Sequence, residues 1–246
     1  GNGFDMRQIF DHTLLGERPD HAVTFVDVGQ GDCIHINIDG CNILVDGGGS
    51  VFRNVAKERL RPYLLKNGID RIDLAIITHN DADHALGIRQ LQEIFDVRKV
   101  IVLGQSNDDC GICSVDVCGI KILLMADAGM EAEEALCRKY GEQVCCDILK
   151  VGHHGSAYST SEILLKTALP KFAVISCGRN NNYGHPAPRV IELLENSGII
   201  YARTDESGAV YLKDFRSGIL VFENAAKDKK WLIQRMQQTA NTPPGP

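Results

Sequence analysis

Seven consecutive residues, Thr78 to His84, combine imidazole and carboxylate side chains at close spacing. They read Thr-His-Asn-Asp-Ala-Asp-His. Two histidines and two aspartates so close together are costly to bury unless a cation balances them, because burial removes the water that solvates charge. Imidazole nitrogen and carboxylate oxygen together suit zinc or manganese. The segment therefore predicts a divalent-metal site, the alternative being a polar loop in which Asp81 or Asp83 caps a helix.

Three further segments share one design, an apolar run that ends in polar residues. They lead to Asp127, to His153 and His154, and to Asn182, Tyr183 and His185. Taken singly, each has an ordinary explanation, because aspartate is common in turns and histidine in structural positions. Strand ends, however, are where α/β proteins commonly bind ligands. The repetition of this design predicts that the polar residues form one site.

The composition limits the class of protein. The chain has 246 residues, of which 44% are hydrophobic and 6% aromatic. This composition predicts an α/β fold with a core of Val, Ile, Leu and Ala, and it excludes disordered and collagen-like chains. The net charge of −6 is unfavourable for attracting a phosphate backbone. Nine cysteines, an odd number with two adjacent, favour reduced thiols over a disulfide framework.

The elements that must position these residues follow from hydrophobic patterning and turn signals. Strands are expected over 22–28, 33–38, 41–45, 73–78, 99–103, 121–125, 147–151, 172–176, 201–203, 209–213 and 219–222. Helices are expected over 54–66, 83–95, 130–140, 161–168 and 188–196, with a terminal helix around Trp231. A surface loop is expected around Cys110, Cys113 and Cys118. We expect residues 1–20 to be a leader or linker, 21–240 a single domain, and 241–246 a flexible tail.

The order of the motifs resembles the metal-binding series of the metallo-β-lactamase superfamily. That series is His79-x-Asp81-x-Asp83-His84, then Asp127, then His153. A closer resemblance, to the metallo-β-lactamase-like domain of the ComEC competence proteins, rests on five segments. These are 26–32 (VDVGQGD), 44–48 (LVDGG), the His79 segment, 150–156 (KVGHHGS) and 183–186 (YGHP). The resemblance implies an αββα sandwich of two mixed β-sheets with flanking helices.

Two departures from the superfamily pattern bear on the metal site. Asp81 stands where the pattern commonly has histidine, and residues 85–126 lack the further metal-binding histidine. The resemblance then leaves one site with His79, Asp127 and Asp81, and the other with Asp83, His84, His153 and the shared Asp127. We expect one firm site and one weaker site, holding Zn²⁺ or Mn²⁺. Asp108, Asp109 and Cys110 are further candidates for the gap.

Roles for the remaining polar residues follow if the chain is an enzyme. Asp83 is expected to orient the attacking water. His154 and His185 are expected either to protonate the leaving group or to hold a phosphate oxygen, because that donor must not spend its lone pair on a metal. The sequence leaves open which of His153 and His154 binds metal. Further candidates are Ser156, Asn182 and Tyr183 for phosphate contacts and Asp46 for supporting a metal ligand.

The resemblance implies a metal-dependent nuclease that degrades one strand of DNA during ComEC-type DNA uptake. Its substrate is expected to be single-stranded DNA. The chain begins at Gly1 and has no apolar run that could span a membrane, so it is expected to be soluble as given. In a longer ComEC-like parent it is expected to be tethered to a membrane channel, and otherwise to be cytoplasmic. Two alternatives stay open: a hydrolase of small esters or thioesters, and a non-catalytic, metal-stabilised binding domain.

Overall fold

The computed structural model describes residues 23–104, 111–214 and 219–234. In chain order the strands are β1 Val23–Phe25, β2 Ile34–Ile38, β3 Cys41–Val45, β4 Arg71–Ile72, β5 Leu74–Ile77, β6 Asp96–Val97, β7 Val100–Val102, β8 Cys113–Val117, β9 Ile120–Leu124, β10 Ile148–Lys150, β11 Phe172–Ile175, β12 Ile200–Arg203, β13 Val210–Asp214, β14 Ile219–Asn224 and β15 Lys230–Gln234. The helices are α1 Arg61–Lys66, α2 Gly87–Gln92, α3 Met130–Tyr140, α4 Glu162–Ala168, α5 Pro188–Asn196 and α6 Thr204–Ser207. Two π-helical segments, Ala56–Leu60 and Ala82–Leu86, lead into α1 and α2.

The strands form two large mixed sheets. One has the order β15-β14-β13-β1-β2-β3-β5-β7, the other β12-β11-β10-β9-β8, and β4 pairs separately with β6. The sheets pack face to face, because one hydrophobic cluster contains side chains from both. Phe172 of the second sheet stacks on Phe222 of the first, with ring centroids 4.0 Å apart.

Helices cover the outer faces of both sheets. One cluster joins α1 and α2 to the first sheet, and another joins α3, α4 and α5 to the second. Strand β5 shows why its sequence is apolar throughout: Leu74 and Ile76 face the core between the sheets, whereas Ala75 and Ile77 face the helices. The expected αββα sandwich is therefore confirmed.

The structure corrects two expectations of local structure. Trp231 lies in β15, not in a terminal helix, because the alternation of 230–234 turns Trp231 and Ile233 toward the core between the sheets. Cys113 lies in β8, not in a surface loop, since 113–117 pair with β9 as an antiparallel hairpin. Cys110 and the expected leader and tail lie outside the described residues.

Two smaller findings bear on earlier expectations. The cysteines that the structure describes carry free thiols. Across the same described ranges, no helix combines the length and the apolar character needed to cross a membrane.

Candidate metal centre

The polar residues meet at one end of the sandwich, where strands of both sheets end. Asp46 follows β3 and the segment from Thr78 follows β5, in the first sheet. Asp127 follows β9 and the two adjacent histidines follow β10, in the second. Because β9 and β10 are parallel, their carboxyl ends lie at the same edge. Motifs that are far apart in the sequence therefore lie close together at this end of the sandwich.

Glycines allow the loops of the first sheet to approach the segment that contains Asp83. A Cβ added to Gly31 (φ 118°) would collide with the carbonyl oxygen of Asp83, and one added to Gly49 (φ 153°) would collide with that of Ala82. Hydrogen bonds fix the same approach, since Gly47 N–H donates to the His84 carbonyl at 2.8 Å. The backbone of residues 47–49 therefore passes close to the segment that contains Asp83.

His84 is the most enclosed imidazole of the site. Its Nδ1 lies 2.8 Å from Asp46 Oδ2, and its Nε2 lies 2.9 Å from Asp127 Oδ1. Asp46 is itself held, because it accepts hydrogen bonds from the Thr78 backbone N–H at 2.8 Å and the Thr78 hydroxyl at 2.7 Å. Burial alone would lower the pKa of His84, but the carboxylates of Asp46 and Asp127 raise it well above its ordinary value.

One group of donors surrounds Asp127 Oδ1, and we call it the inner set. It consists of Asp83, His84, His154 and Asp127 Oδ1. His154 Nε2 lies 3.2 Å from Asp83 Oδ2 and 3.5 Å from Asp127 Oδ1. Donor atoms of Asp83, His84 and His154 all lie within 4.8 Å of one another, so these residues could hold a metal ion. Burial would raise the pKa of Asp127, but the histidines around it lower that pKa strongly.

A second group surrounds the other oxygen of Asp127, and we call it the outer set. It consists of His79, Asp81, His153 and Asp127 Oδ2. His79 Nε2 lies 3.6 Å from Asp81 Oδ2 and 3.7 Å from Asp127 Oδ2. His153 Nε2 lies 3.9 Å from the same Asp127 oxygen. Unlike the inner set, this set is open to solvent, because the side chains of Asp81 and His153 are 49% and 42% exposed.

The outer set passes a test for a missing cation. His79 Nε2 is buried and has no hydrogen-bond partner, although it faces two carboxylates. Leaving such a nitrogen unsatisfied is costly, and a divalent ion between the imidazole and the carboxylates removes that cost. The donors present therefore fit the metal that the spacing of the motif predicts.

The two adjacent histidines separate because of an uncommon backbone. His153 and His154 both have positive φ, 48° and 54°, a conformation that side chains other than glycine rarely adopt. Their rings consequently diverge, and His154 joins Asp83 and His84 while His153 faces the outer oxygen of Asp127. The sequence prediction grouped His153 with Asp83 and His84. In the structure His154 lies with them instead.

A buried ion pair that the motifs did not predict lies behind His154. Lys150 Nζ lies 2.8 Å from Asp32 Oδ1, and His154 Nδ1 lies 3.1 Å from the same oxygen. Burial would raise the pKa of Asp32, but the charges of Lys150 and His154 lower it. The sequence does indicate such a pair, because a lysine in the apolar run of β10 must find a buried partner.

His185 completes the cluster of imidazoles. Its ring centroid lies 5.8 Å from that of His153 and 6.3 Å from that of His154. Its Nδ1 is buried without a hydrogen-bond partner, and its backbone N–H donates to Asn181 Oδ1 at 3.0 Å. Burial, together with the charges of His154 and His153, lowers the pKa of His185.

The remaining predicted residues are less closely connected to the donors. Ser156 is buried, and its hydroxyl oxygen accepts a hydrogen bond from the Tyr158 N–H at 3.3 Å. Tyr183 stacks on His185. Among the described contacts, none joins Asn182 to either donor set. Asp108, Asp109 and Cys110 lie outside the described residues.

Comparison with known proteins agrees with this geometry. Residues 26–107, which include Asp46 and the segment from Thr78 to His84, match the metallo-beta-lactamase superfamily. Residues 26–107 thus resemble a metallo-beta-lactamase superfamily domain.

Three curated proteins resemble the chain over most of its length. ComE operon protein 3 of Bacillus subtilis (strain 168) is 24% identical over 76% of this chain and 32% of its own length. Competence protein ComA of Neisseria gonorrhoeae is 28% identical over 80% of this chain and 33% of its own. Recombination protein 2 of Haemophilus influenzae (strain ATCC 51907 / DSM 11121 / KW20 / Rd) is 29% identical over 87% of this chain and 31% of its own. These relatives are ComEC-type competence proteins, and the chain described here spans about a third of their length.

Proposed function

We propose that this chain is a metal-dependent phosphodiesterase that cleaves DNA in a ComEC-type uptake system. The observation that supports it most directly is the arrangement of two His/Asp donor sets on the two oxygens of Asp127. Sites that hold paired metals on a shared ligand are typical of enzymes that cleave phosphate esters, because two cations can stabilise both the attacking and the leaving oxygen. The similarity to competence proteins favours DNA as the phosphodiester.

In this proposal His153 supplies the imidazole that residues 85–126 lack. The inner set, with Asp83, His84 and His154, binds the firm metal because both of its histidines are buried and three of its donors converge. The outer set binds the weaker metal, since Asp81 and His153 are half exposed and can exchange with water. The outer set is the one expected to accept manganese as readily as zinc, because water can reach it and supply further oxygen ligands.

Bound cations would lower the pKa of water and offset the negative charge that develops on the phosphate. The chain then has two further tasks, to orient the attacking water and to hold the substrate. Asp83 Oδ2 is engaged with His154, so its Oδ1 accepts a hydrogen bond from the attacking water and fixes the direction of attack.

His185, not His154, contacts the substrate in this proposal. His154 has both ring nitrogens committed, with Nε2 in the inner set and Nδ1 3.0 Å from the Ser176 carbonyl. Burial and the charges of His154 and His153 lower the pKa of His185, which favours its neutral form. A neutral imidazole donates one N–H, and we assign that N–H to a phosphate oxygen instead of to the protonation of the leaving group.

The test is cleavage of a labelled single-stranded DNA oligonucleotide in Mn²⁺, in Zn²⁺ and in EDTA. The variants are Asp127→Ala and Asp83→Ala, with the exposed Asp70→Ala as the matched control. We expect metal-dependent shortening in the unchanged chain and in Asp70→Ala, and its loss in the other two. Shortening that persists in Asp127→Ala would refute the site. A metal-loaded chain that leaves DNA intact but cleaves a chromogenic ester would replace the proposal with small-ester hydrolysis.

A further inference from the structure

A line of four aromatic rings connects the inner donor set to the protein surface. Ring centroids are 5.3 Å apart between His84 and His154, 6.3 Å between His154 and His185, and 5.6 Å between His185 and Tyr183. The rings are inclined to their neighbours by 35°, 32° and 25° in the same order. The line begins at a fully buried imidazole and ends at Tyr183, which is 70% exposed.

Packing does not account for the position of Tyr183, because most of its ring faces solvent. Its loop is nevertheless held in place. Asn181 Oδ1 accepts hydrogen bonds from the backbone N–H groups of Tyr183 at 3.1 Å and of His185 at 3.0 Å, and Asn181 Nδ2 donates to the His185 carbonyl at 2.6 Å. One face of the tyrosine ring lies on His185, so the opposite face is presented outward by a preorganised turn.

We propose that the outward face of Tyr183 stacks on a nucleobase of the strand being cleaved. This inference rests on the proposed function. It adds recognition of the nucleobase, whereas the metals would recognise only the phosphate. Because the ring line runs from Tyr183 through His185 to the donor sets, a base on Tyr183 directs its own sugar-phosphate toward His185. The hydroxyl of Tyr183 is not required, since stacking uses the ring face.

The stacking site selects for a single strand. In a duplex each base is already stacked between its neighbours, so it cannot offer a whole face to a protein ring. In a single strand any base can do so, and aromatic stacking tolerates every sequence because every base has a π-face. It also offsets the unfavourable net charge of the chain, as part of the affinity then comes from bases and not from phosphates.

The experiment measures binding by fluorescence anisotropy in EDTA, so that no cleavage occurs. The probes are a labelled single-stranded DNA oligonucleotide and an oligonucleotide of the same length made only of abasic sugar-phosphate units. The variants are Tyr183→Leu and Tyr183→Phe. Tyr140→Leu is the matched control, because Tyr140 is also an exposed tyrosine but lies at the end of α3. Melting temperatures show whether each variant is folded.

We expect Tyr183→Leu to bind the natural strand about tenfold more weakly and to bind the abasic strand as the unchanged chain does. Tyr183→Phe and Tyr140→Leu should bind both probes normally. Equal weakening for both probes, or none for either, would overturn the stacking site. The assay involves no turnover, so its result is separate from that of the cleavage test. A chain that does not cleave DNA can still bind the natural strand through Tyr183, and a chain that cleaves DNA can do so without base stacking at Tyr183.

Discussion

The carboxylate of Asp46 contacts the side of His84 that faces away from the candidate metals, with Oδ2 2.8 Å from Nδ1. Both side chains are buried. The contact fixes the proton on Nδ1 and leaves the Nε2 lone pair for a metal, which is how a carboxylate behind a histidine strengthens a metal ligand. Asp46 therefore affects the metal site without binding the metal itself.

Replacing Asp46 with asparagine should weaken the inner metal. The amide nitrogen of Asp46→Asn is a donor where the carboxylate accepted, so the proton of His84 shifts toward Nε2. We expect zinc affinity to fall about 10–100-fold, measured by competition with a chromogenic chelator. Asp70→Asn is the control, and equal affinity in the two variants would show that Asp46 does not orient His84.

Substituting the adjacent histidines should remove different metals. His153→Ala should leave one tightly held metal per chain, because the inner set is intact, whereas His154→Ala should release the firm metal. Elemental analysis after desalting measures both. If the two variants retain the same amount of metal, the division of His153 and His154 between the sets is wrong.

Lys150 should be important for stability even in the absence of metal. Lys150→Met removes the lysine partner of the buried Asp32 and leaves only His154 beside that carboxylate, and breaking a buried ion pair in this way costs about 3–5 kcal/mol. The double variant Asp32→Asn/Lys150→Met should recover much of that loss, because no buried charge is left unpaired. Urea unfolding in EDTA provides the free energies. A loss below about 1 kcal/mol in the single variant would contradict the role of the pair.

Asp73 should make unfolding free energy depend on acid pH. Burial would raise the pKa of Asp73, but the hydrogen bond from the Asn42 N–H and the ion pairs with Arg71 and Arg98 lower it. A lowered native pKa stabilises the fold above the ordinary carboxyl pKa of about 4, and this stabilisation is lost as the pH falls through the native value.

The variant Asp73→Asn isolates this contribution. It should be less stable than the unchanged chain by about 1 kcal/mol at pH 7, and the difference should narrow as the pH is lowered toward 3. Urea unfolding at a series of pH values measures the difference. A gap that stays constant with pH would mean that the charge of Asp73 is not responsible.

The sandwich could be predicted because local patterns and tertiary structure agree. The continuous apolar run of β5 is buried on both faces, and Asp39-Gly40, with φ of 49° and 82°, forms the tight turn between the predicted strands 33–38 and 41–45. The strand at Trp231 was missed in favour of a packed terminal helix, although its residues alternate as in a strand. Five residues are too few for that alternation to stand out.

The sequence indicated which residues would lie together, but not how they would divide between the two donor sets. Residue type and position after strands brought out His79, Asp127 and the adjacent histidines. How His153 and His154 separate depends on two successive positive φ angles, and sequence does not reveal a backbone conformation that non-glycine residues rarely adopt. The role of Asp32 depends on a contact with Lys150 across more than a hundred residues: the apolar run around Lys150 indicates a buried lysine, but no local pattern identifies its partner.

Glycine contacts have a consequence for how such a site can change over evolutionary time. Gly31 and Gly49 set main chain against main chain around Asp83, and Gly87 does the same against Gly47. The positions of the ligands thus depend on backbone contacts and not on which side chains the ligands have. A lineage can exchange Asp81 for histidine, and shift its metal preference, without rebuilding the scaffold. At the glycines, by contrast, an added side chain would push the main chain apart and displace the ligands that it carries.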